Sequence, residues 1–335
     1  MTNSATIASN LAASAADTIH YKILQELEIG KEGWQNELLL FMKPELFMVS
    51  DPSDIEKSAA LILNKLAEYQ VKIDGIMIVG GNFLADQKIM DRHYGYINKL
   101  SKSASKFLAD EDLAKVSAAL GLRSLNGIDL LGGHEYMDKY PWETVEELDK
   151  VWFSKKSVKI RSGFYVQLYE KNGGSFVLVN GFHPAQLNHF THPDHRTALF
   201  LLHSNTVWKT LRNDMVGNTY PEKAGPESIR GSLFADPARY GLEKVDISVN
   251  GVHLSAGPYE GVFEVLNFFS SLYPEASRPL PLLVKRLVAT GMTASEALAV
   301  TNNPPLTVAG KATDLFSATE DLDTTSAIDL WLKSR

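Results

Sequence analysis

Cysteine is absent from this chain of 335 residues, which excludes disulfide bonds, zinc–thiolate sites and thiol nucleophiles. Also absent are the G-x-x-x-x-G-K-[ST] pattern of a P-loop, the G-x-S-x-G pattern of a serine nucleophile and the H-E-x-x-H pattern of a zinc protease. Every apolar run is shorter than the roughly 18 residues that a membrane span needs. Residues 1–17 lack the basic start and the apolar stretch of a secretory signal. We therefore expect a cytoplasmic protein.

Positive charge is scarce too. Lys and Arg number 33 against 40 Asp and Glu, which gives a net charge of −7. Broad electrostatic contact with nucleic acid or anionic lipid needs clustered basic residues, so we expect neither nucleic acid nor a membrane as a partner. A single phosphate pocket needs only a few cations and stays open. The hydrophobic fraction of 44% and the charged fraction of 22% are typical of a globular protein.

Strand and helix patterns alternate along the chain. Short apolar runs predict strands, and apolar residues that recur at the helical period predict helices. The predicted strands are residues 37–42, 71–79, 198–203 and 245–249, with a hairpin over 163–179 whose turn is Asn172-Gly173-Gly174. The predicted helices are residues 54–69, 83–100, 110–120, 144–152, 206–215, 258–269, 281–291 and 294–300. This order fits a parallel α/β protein or an α+β sandwich, and periodicity alone does not choose between them.

Four histidines lie close together in the sequence, namely His183, His189, His192 and His195, with Asp194 among them. Imidazole binds zinc, copper or iron, so a metal site is one interpretation. Two prolines interrupt the segment, and it lacks the H-x-x-x-H spacing of a helical metal site. A loop, either solvated or lining a substrate cleft, is therefore the favoured interpretation.

The second half of the chain carries residue types that suit a phosphate ligand. They stand in four short segments: Lys209-Thr210-Leu211-Arg212, Asn218-Thr219-Tyr220-Pro221, Ser228-Ile229-Arg230-Gly231 and Asn250-Gly251-Val252-His253-Leu254-Ser255. Arginine binds phosphate with a permanently charged planar fork, and hydroxyl and amide groups complete the oxygen shell. A neutral histidine beside such groups is a natural nucleophile for covalent transfer. The pattern predicts phosphoryl transfer through His253.

In their order and spacing, these segments resemble the nucleoside diphosphate kinase family. The family's K-P-D, H-Y, K-T-x-R, T-x-P, I-R-G and N-x-x-H-G-S motifs are similar, in that order, to the segments that begin at Lys43, His93, Lys209, Thr219, Ile229 and Asn250. The resemblance covers residues 38–96 and 198–269, which is less than half of the chain. It rests on the succession of motifs, since each motif alone is short.

The resemblance implies an α+β fold with a ferredoxin-like antiparallel sheet of four strands and helices on one face. It implies that Mg²⁺ and a nucleoside triphosphate such as ATP are bound without a P-loop. The implied activity is ping-pong transfer of the γ-phosphoryl group through a phosphohistidine to a nucleoside diphosphate or a related phosphate acceptor.

The resemblance also implies a role for each matching residue. His253 is the implied nucleophile, Glu264 the carboxylate that orients its ring, and Ser255 a neighbour that donates a hydrogen bond nearby. The residues implied to hold phosphates are Lys43, Arg212, Thr219 and Arg230, while those implied to position His253 and the sugar or phosphate are Tyr94 and Asn250. Taken alone, Glu264 has a simpler interpretation as part of a solvated helix face, one turn after Glu260.

The chain departs from the family pattern at several points. Leu254 stands where the signature has glycine, and Ala256 stands where an aspartate follows. A long segment separates Tyr94 from Ala198, and segments of that length usually have a role. The predicted organisation is an N-terminal helical extension (1–35), a nucleoside diphosphate kinase-like core (36–100 and 196–270), an inserted α/β sub-domain (101–195) and a helical C-terminal extension (271–335).

Two roles for the inserted segment remain open, namely selection of the phosphate acceptor and contacts within a homo-oligomer. Two other functions also remain open for the whole chain. One is a non-catalytic module that binds nucleotide and presents the insertion to a partner. The other is a metal-dependent hydrolase built on the histidines of residues 183–195.

Overall fold

The structure is a computed structural model that describes residues 4–171 and 173–334. The start of the predicted N-terminal extension and Asn172 of the predicted hairpin turn lie outside the described residues. The chain divides into two compact units. We call the residues up to Gln87 and from Pro193 onward the core unit, and Lys88–His192 the inserted unit.

The strands and helices within the described residues are as follows. The strands are β1 Tyr21–Gln25, β2 Asn36–Met42, β3 Lys72–Gly80, β4 Asp129–Gly132, β5 Val158–Arg161, β6 Phe164–Lys171, β7 Gly174–Val179, β8 Arg196–Ser204, β9 Val252–Leu254, β10 Pro305–Val308 and β11 Lys311–Asp314. The α-helices are α1 Ser4–Asp17, α2 Pro52–Glu68, α3 Gly81–Asp86, α4 Ile89–His93, α5 Gly95–Phe107, α6 Asp110–Ala119, α7 Gly133–Lys139, α8 Val145–Phe153, α9 His183–Thr191, α10 Trp208–Thr210, α11 Ile229–Ala235, α12 Pro258–Phe269, α13 Leu282–Ala289, α14 Ala294–Val300, α15 Leu315–Thr319 and α16 Thr324–Lys333. A π-helical stretch, Leu211–Val216, continues α10.

A five-stranded sheet in the order β1-β3-β8-β2-β9 organises the core unit. Every neighbouring pair in it is antiparallel, which agrees with the predicted antiparallel sheet. Strands β2, β3, β8 and β9, with the helices between them, follow a β-α-β-β-α-β order along the chain. Since β8 lies between β2 and β3, and β2 lies between β8 and β9, each helical connection joins two strands that run in the same direction.

Helices cover both faces of this sheet, so the expectation of helices on one face is wrong. Alternate side chains of a strand point to opposite faces. Leu38 and Leu40 of β2 belong to a core cluster with residues of α1 and α2. Phe41, between Leu40 and Met42, instead meets Phe268 of α12 with 5.7 Å between ring centroids. All seven residues of β2 are accordingly buried.

The two ends of the core unit contain strands as well as helices. After α1, β1 pairs with β3 and becomes the edge of the sheet, so residues 1–35 are not a purely helical extension. Beyond α12, helices α13 to α16 are joined by the hairpin β10–β11. Buried residues of this region and of α12, among them Val262, Leu283 and Ile328, form a cluster of their own. Across the described residues, no helix combines the length and the apolar character that crossing a bilayer requires.

The inserted unit has its own sheet, in the order β4-β7-β6-β5. Strand β4 runs parallel to β7, while the other two pairs are antiparallel. One face packs on Leu100 and Ala104 of α5 and on Val116 of α6. The predicted hairpin is present as β6 and β7, and the unit spans Lys88–His192 where the sequence placed an insertion over residues 101–195.

Three local predictions are wrong, each for a reason visible in the backbone. The helix predicted over residues 83–100 is broken into α3, α4 and α5; the first break lies at Lys88, which has a left-handed φ of 50°, and the second at Tyr94, where φ is −93° and ψ is 26°. The strand predicted over residues 245–249 is a turn, since the carboxylate of Asp246 accepts hydrogen bonds from the backbone of Ser248 and Val249. The segment of residues 183–191, expected as a loop, is helix α9, which tolerates Pro184 in its first turn.

Candidate active site

His253 lies at the centre of the short strand β9. In the sheet it stands opposite Phe41 of β2, and the two rings stack at 4.3 Å between centroids with 18° between their planes. The backbone before it turns at Gly251, where φ is +79°. The side chain of His253 keeps 22% of its surface exposed. The imidazole is therefore fixed on one flat side by Phe41 and reachable from elsewhere.

A buried carboxylate engages one nitrogen of this ring. Nε2 of His253 lies 2.6 Å from Oε1 of Glu264, and the Ser255 hydroxyl donates to Oε2 of Glu264 at 2.5 Å. A carboxylate that accepts from both partners requires the imidazole proton on Nε2, which places the ring's lone pair on Nδ1. Glu264 and Ser255 are fully buried, so Glu264 does not belong to a solvated helix face.

Burial and nearby cations favour the neutral imidazole. Burial lowers the pKa of His253 well below its usual range, and the positive charges of Lys43, Arg230 and Arg212 lower it further. A neighbouring carboxyl shows the reverse effect, because burial and the negative charge of Glu264 raise the pKa of Glu260 to about 8. At neutral pH His253 is thus an unprotonated base with a fixed tautomer, which is the state that a nucleophile needs.

Lys43 is held by Asn250. Nζ of Lys43 donates to Oδ1 of Asn250 at 2.6 Å, and burial lowers the pKa of the lysine. The Asn250 amide nitrogen donates to the carbonyl oxygens of Ile247 at 3.1 Å and Thr219 at 3.3 Å. Asn250 therefore ties two backbone segments to Lys43. Thr219 contributes its carbonyl oxygen to this arrangement, and its side chain is exposed.

The guanidinium group of Arg230 donates hydrogen bonds to two separate backbone segments. Its Nη1 donates to the carbonyl of Gly217 at 2.8 Å and its Nη2 to that of Val252 at 2.9 Å. Among the described residues, none accepts a hydrogen bond from its buried Nε. Burial, aided by the charge of Arg212, lowers the pKa of Arg230 to about 10. A buried cation with a donor to spare is a favourable position for an anion.

Arg212 has partners that the sequence did not suggest. Its Nη1 donates to Glu320 at 2.9 Å and to Asp321 at 2.7 Å. Both carboxylates follow α15, more than a hundred positions along the chain. They correspond to no motif, so nothing in the sequence pattern pointed to them. The same is true of Phe41 and of Trp208, whose indole nitrogen donates to the Ser255 carbonyl at 2.9 Å.

The core unit thus contains eight of the residues singled out from the sequence: Lys43, Arg212, Thr219, Arg230, Asn250, His253, Ser255 and Glu264. Tyr94 belongs to the inserted unit. Within that unit its ring meets the rings of His183 and Phe190, at 5.8 Å and 6.2 Å between centroids.

The histidines of residues 183–195 are divided between the two units, since His195 belongs to the core unit and the other three to the inserted unit. His183 is buried within α9, with Nδ1 3.0 Å from Oε1 of Gln186 and Nε2 3.2 Å from Oδ1 of Asn98. Burial lowers its pKa to about 4. Over the part of the chain that the structure describes, none of His183, His189, His192 and His195 joins two further ligands close enough to share an ion.

No protein-family profile matches the chain, and no curated protein sequence matches it. Among solved structures, it is similar to an NDP kinase from Pyrobaculum aerophilum at 17% sequence identity. The alignment covers 72% of this chain and 97% of that one, with a TM-score of 0.33. A likeness of this size carries no functional conclusion.

Proposed function

We propose that the chain is a phosphotransferase that takes the γ-phosphoryl group of a nucleoside triphosphate onto His253 and passes it to a nucleoside diphosphate or a related phosphate acceptor. The observation that carries the proposal is the 2.6 Å contact between Nε2 of His253 and the buried Glu264, in the field of Lys43, Arg212 and Arg230. This arrangement places an oriented, neutral nucleophile near the positive charges that bind a phosphate.

The proposed first step forms a bond between Nδ1 of His253 and the γ-phosphorus. The bond from that phosphorus to the bridging oxygen breaks, and the nucleoside diphosphate leaves with the electron pair. Glu264 keeps the proton on Nε2 and offsets the positive charge that the ring acquires. Lys43 and Arg230 neutralise the oxygens of the moving group, which is the main contribution a protein makes to phosphoryl transfer. The second step reverses the first with the acceptor as nucleophile.

Mg²⁺ fits this site when the nucleotide carries it. The carboxylates near His253 already have partners, since Glu264 binds His253 and Ser255 while Glu320 and Asp321 bind Arg212. Mg²⁺ is commonly held largely by substrate phosphates and water. We expect the ion to arrive on the triphosphate and to reduce its charge as it enters.

The topology of the core unit supports the same proposal. A β-α-β-β-α-β order with β8 and β2 at the centre of an antiparallel sheet is the arrangement called ferredoxin-like. It is the arrangement that the motif resemblance implied. Strand β1 and the C-terminal helices are additions to it.

The test is to label the protein with γ-³²P-ATP and Mg²⁺ and to measure acid-labile phosphate on the polypeptide. His253→Ala is expected to abolish both the label and transfer to acceptors, because it removes the nucleophile. His189→Ala, a histidine of the inserted unit, is the matched control and should keep the label. Label that persists in folded His253→Ala protein would refute the proposal.

A non-catalytic module that binds nucleotide is the second candidate. The pairing of Arg212 with two carboxylates favours it, because one nitrogen of a proposed phosphate ligand already has partners. This candidate predicts that ATP binds to the wild-type protein while His253 acquires no label. Titration of ATP alongside the labelling assay separates the two functions.

A further inference from the structure

Two carboxylates converge on one nitrogen of Arg212. Nη1 lies 2.9 Å from Oε1 of Glu320 and 2.7 Å from Oδ1 of Asp321. The arginine is largely buried, with 23% of its side chain exposed, while Glu320 and Asp321 keep 52% and 31%. Planar guanidinium groups bind phosphate oxygens with the same donors that they offer to carboxylates. Glu320 and Asp321 therefore occupy a position that suits the oxygens of a phosphate.

Backbone contacts around Asp321 hold these carboxylates in place. The amide of Asp321 donates to the carbonyl of Ala256 at 3.0 Å, three residues beyond His253. Asp321 has a left-handed φ of 62°, a conformation that aspartate tolerates better than most non-glycine residues. Gly257 allows the approach, since a Cβ there would lie 2.6 Å from the carbonyl oxygen of Thr319. Glu320 and Asp321 are thus held next to the segment that follows His253.

Arg212 also acts on the rest of the site through its charge. It contributes to lowering the pKa of His253 and that of Arg230. Two arginines that repel each other leave a favourable place for an anion near both. The carboxylates of Glu320 and Asp321 offset one of these two charges.

We propose that Glu320 and Asp321 are specificity-determining residues, because they act as an internal anion that competes with a phosphate chain for Nη1 of Arg212. A single phosphoryl group is served by Lys43 and Arg230 without that competition. A longer and more anionic chain, which reaches Arg212, meets the competing carboxylates and binds less tightly than the three cations alone would allow. The inference rests on the proposed function for the place of the ligand, and its test does not require phosphoryl transfer.

The test compares the binding of inorganic tripolyphosphate and orthophosphate to the full chain by isothermal titration. In Glu320→Gln/Asp321→Asn, tripolyphosphate should bind about tenfold more tightly than in the wild-type protein, because a charge-assisted contact to Arg212 becomes available. Orthophosphate binding should change by no more than about twofold, because solvent and salt screen the charges of partly exposed carboxylates that the ligand does not contact. Equal affinity of the two proteins for tripolyphosphate would overturn the inference.

A double-mutant comparison locates the effect. Arg212→Gln in the Glu320→Gln/Asp321→Asn background should cancel the gain in tripolyphosphate affinity. A gain that survives without Arg212 would arise from the general loss of negative charge and would also overturn the inference. Glu275→Gln/Asp329→Asn removes two exposed carboxylates from the same region of the chain and controls for net charge.

Folding of each variant is checked by thermal unfolding. Glu320→Gln alone keeps the Asp321 contacts and is expected to show a smaller gain, so it decides the matter where the double variant fails to fold. The labelling of His253 provides an independent outcome. If the wild-type protein acquires no label but Glu320→Gln/Asp321→Asn binds tripolyphosphate more tightly, the proposed function is wrong and this inference holds. If the wild-type protein is labelled but the variant shows no gain in affinity, the proposed function holds and this inference is wrong.

Discussion

At the scale of single residues, the pairing of His253 with Glu264 is the feature on which activity should depend most. In the proposed reaction Glu264 acts through His253, because it holds the proton on Nε2 and the plane of the ring. We expect Glu264→Gln to slow the labelling of His253 about tenfold and Glu264→Ala about a hundredfold, since each tenfold loss corresponds to about 1.4 kcal/mol of the barrier. Glu260→Gln, one turn earlier on α12, is the matched control and should label normally.

The pH profile of labelling provides a readout that a purely structural role would not affect. A lowered pKa in the folded protein keeps His253 neutral when the pH falls through 6.5, the usual value for histidine. The labelling rate of the wild-type protein should therefore stay level from pH 8 to below 6.5. It should fall only at more acidic pH, where the imidazole gains a proton and loses its lone pair. A decline centred at 6.5 or above would contradict the environment described for His253.

The sequence singled out candidate residues for this site but not the contacts between them. Short motifs pointed to Lys43, Asn250 and His253, and the family resemblance pointed to Glu264. The motifs did not show that Asn250 is committed to Lys43 and to two backbone carbonyls. Contacts of that kind depend on how segments far apart in the sequence pack together, which a local sequence pattern does not show. The partners of Arg212 were missed for the same reason.

At the scale of elements, the turn that leads into β9 depends on Gly251. Its φ is +79°, and a Cβ there would lie 2.4 Å from Cδ1 of Leu233. Its amide donates to Glu45 at 2.8 Å and its carbonyl accepts from the Lys43 amide at 2.8 Å. This turn therefore joins Lys43 to the strand of His253.

We expect Gly251→Ala to destabilise the protein by roughly 2–4 kcal/mol in urea unfolding, since strain in the backbone adds to the clash with Leu233. Gly310→Ala is the matched control, because Gly310 has a similar φ of +76° and no neighbouring atom within 4 Å. It should cost only the backbone strain, roughly 1–2 kcal/mol. Equal losses for the two variants would show that the close packing around Gly251 has no energetic weight.

Elements with strong periodicity were predictable, and those shaped by a single backbone angle were not. Helix α12 was expected at residues 258–269 and lies there, and β2, β3 and β8 begin and end within two residues of their expected positions. Strand β9 was placed too early, since the apolar residues around Asp246 resemble a strand although its carboxylate closes a turn. The break at Lys88 carries neither Gly nor Pro, so the sequence holds no signal for it.

At the scale of the whole molecule, the inserted unit interrupts the core unit between two strands that pair with each other. Gly80 of β3 lies opposite Arg196 of β8, and the Gly81 amide donates to the His195 carbonyl at 3.0 Å. The two ends of the core chain at this junction are therefore close together. Since only helix α3 separates this junction from Lys88, we expect that a short bridge can replace the inserted unit.

We expect a chain in which residues 88–192 are replaced by a short Gly-Ser bridge to fold and to label His253 from ATP, although it lacks Tyr94, for which the resemblance implies a positioning role. Deleting only residues 160–195 would instead remove β6, β7 and half of β5, and would leave β4 without a partner. Transfer from labelled protein to acceptors is measured separately. Loss of transfer with retained label would support acceptor selection by the inserted unit, and full transfer would favour oligomer contacts, which gel filtration of both chains would check.

The order of β3 and β8 in the chain has a consequence for folding kinetics. These strands pair along most of their length, yet more than a hundred residues are synthesised between them. Closing a loop of that size before any pairing forms is costly in entropy, and topologies rich in such contacts fold slowly. If the inserted unit collapses first, its residues no longer contribute to the loop, and the central sheet forms next. Refolding of the full chain should then show two phases, and the bridged chain should lack the first.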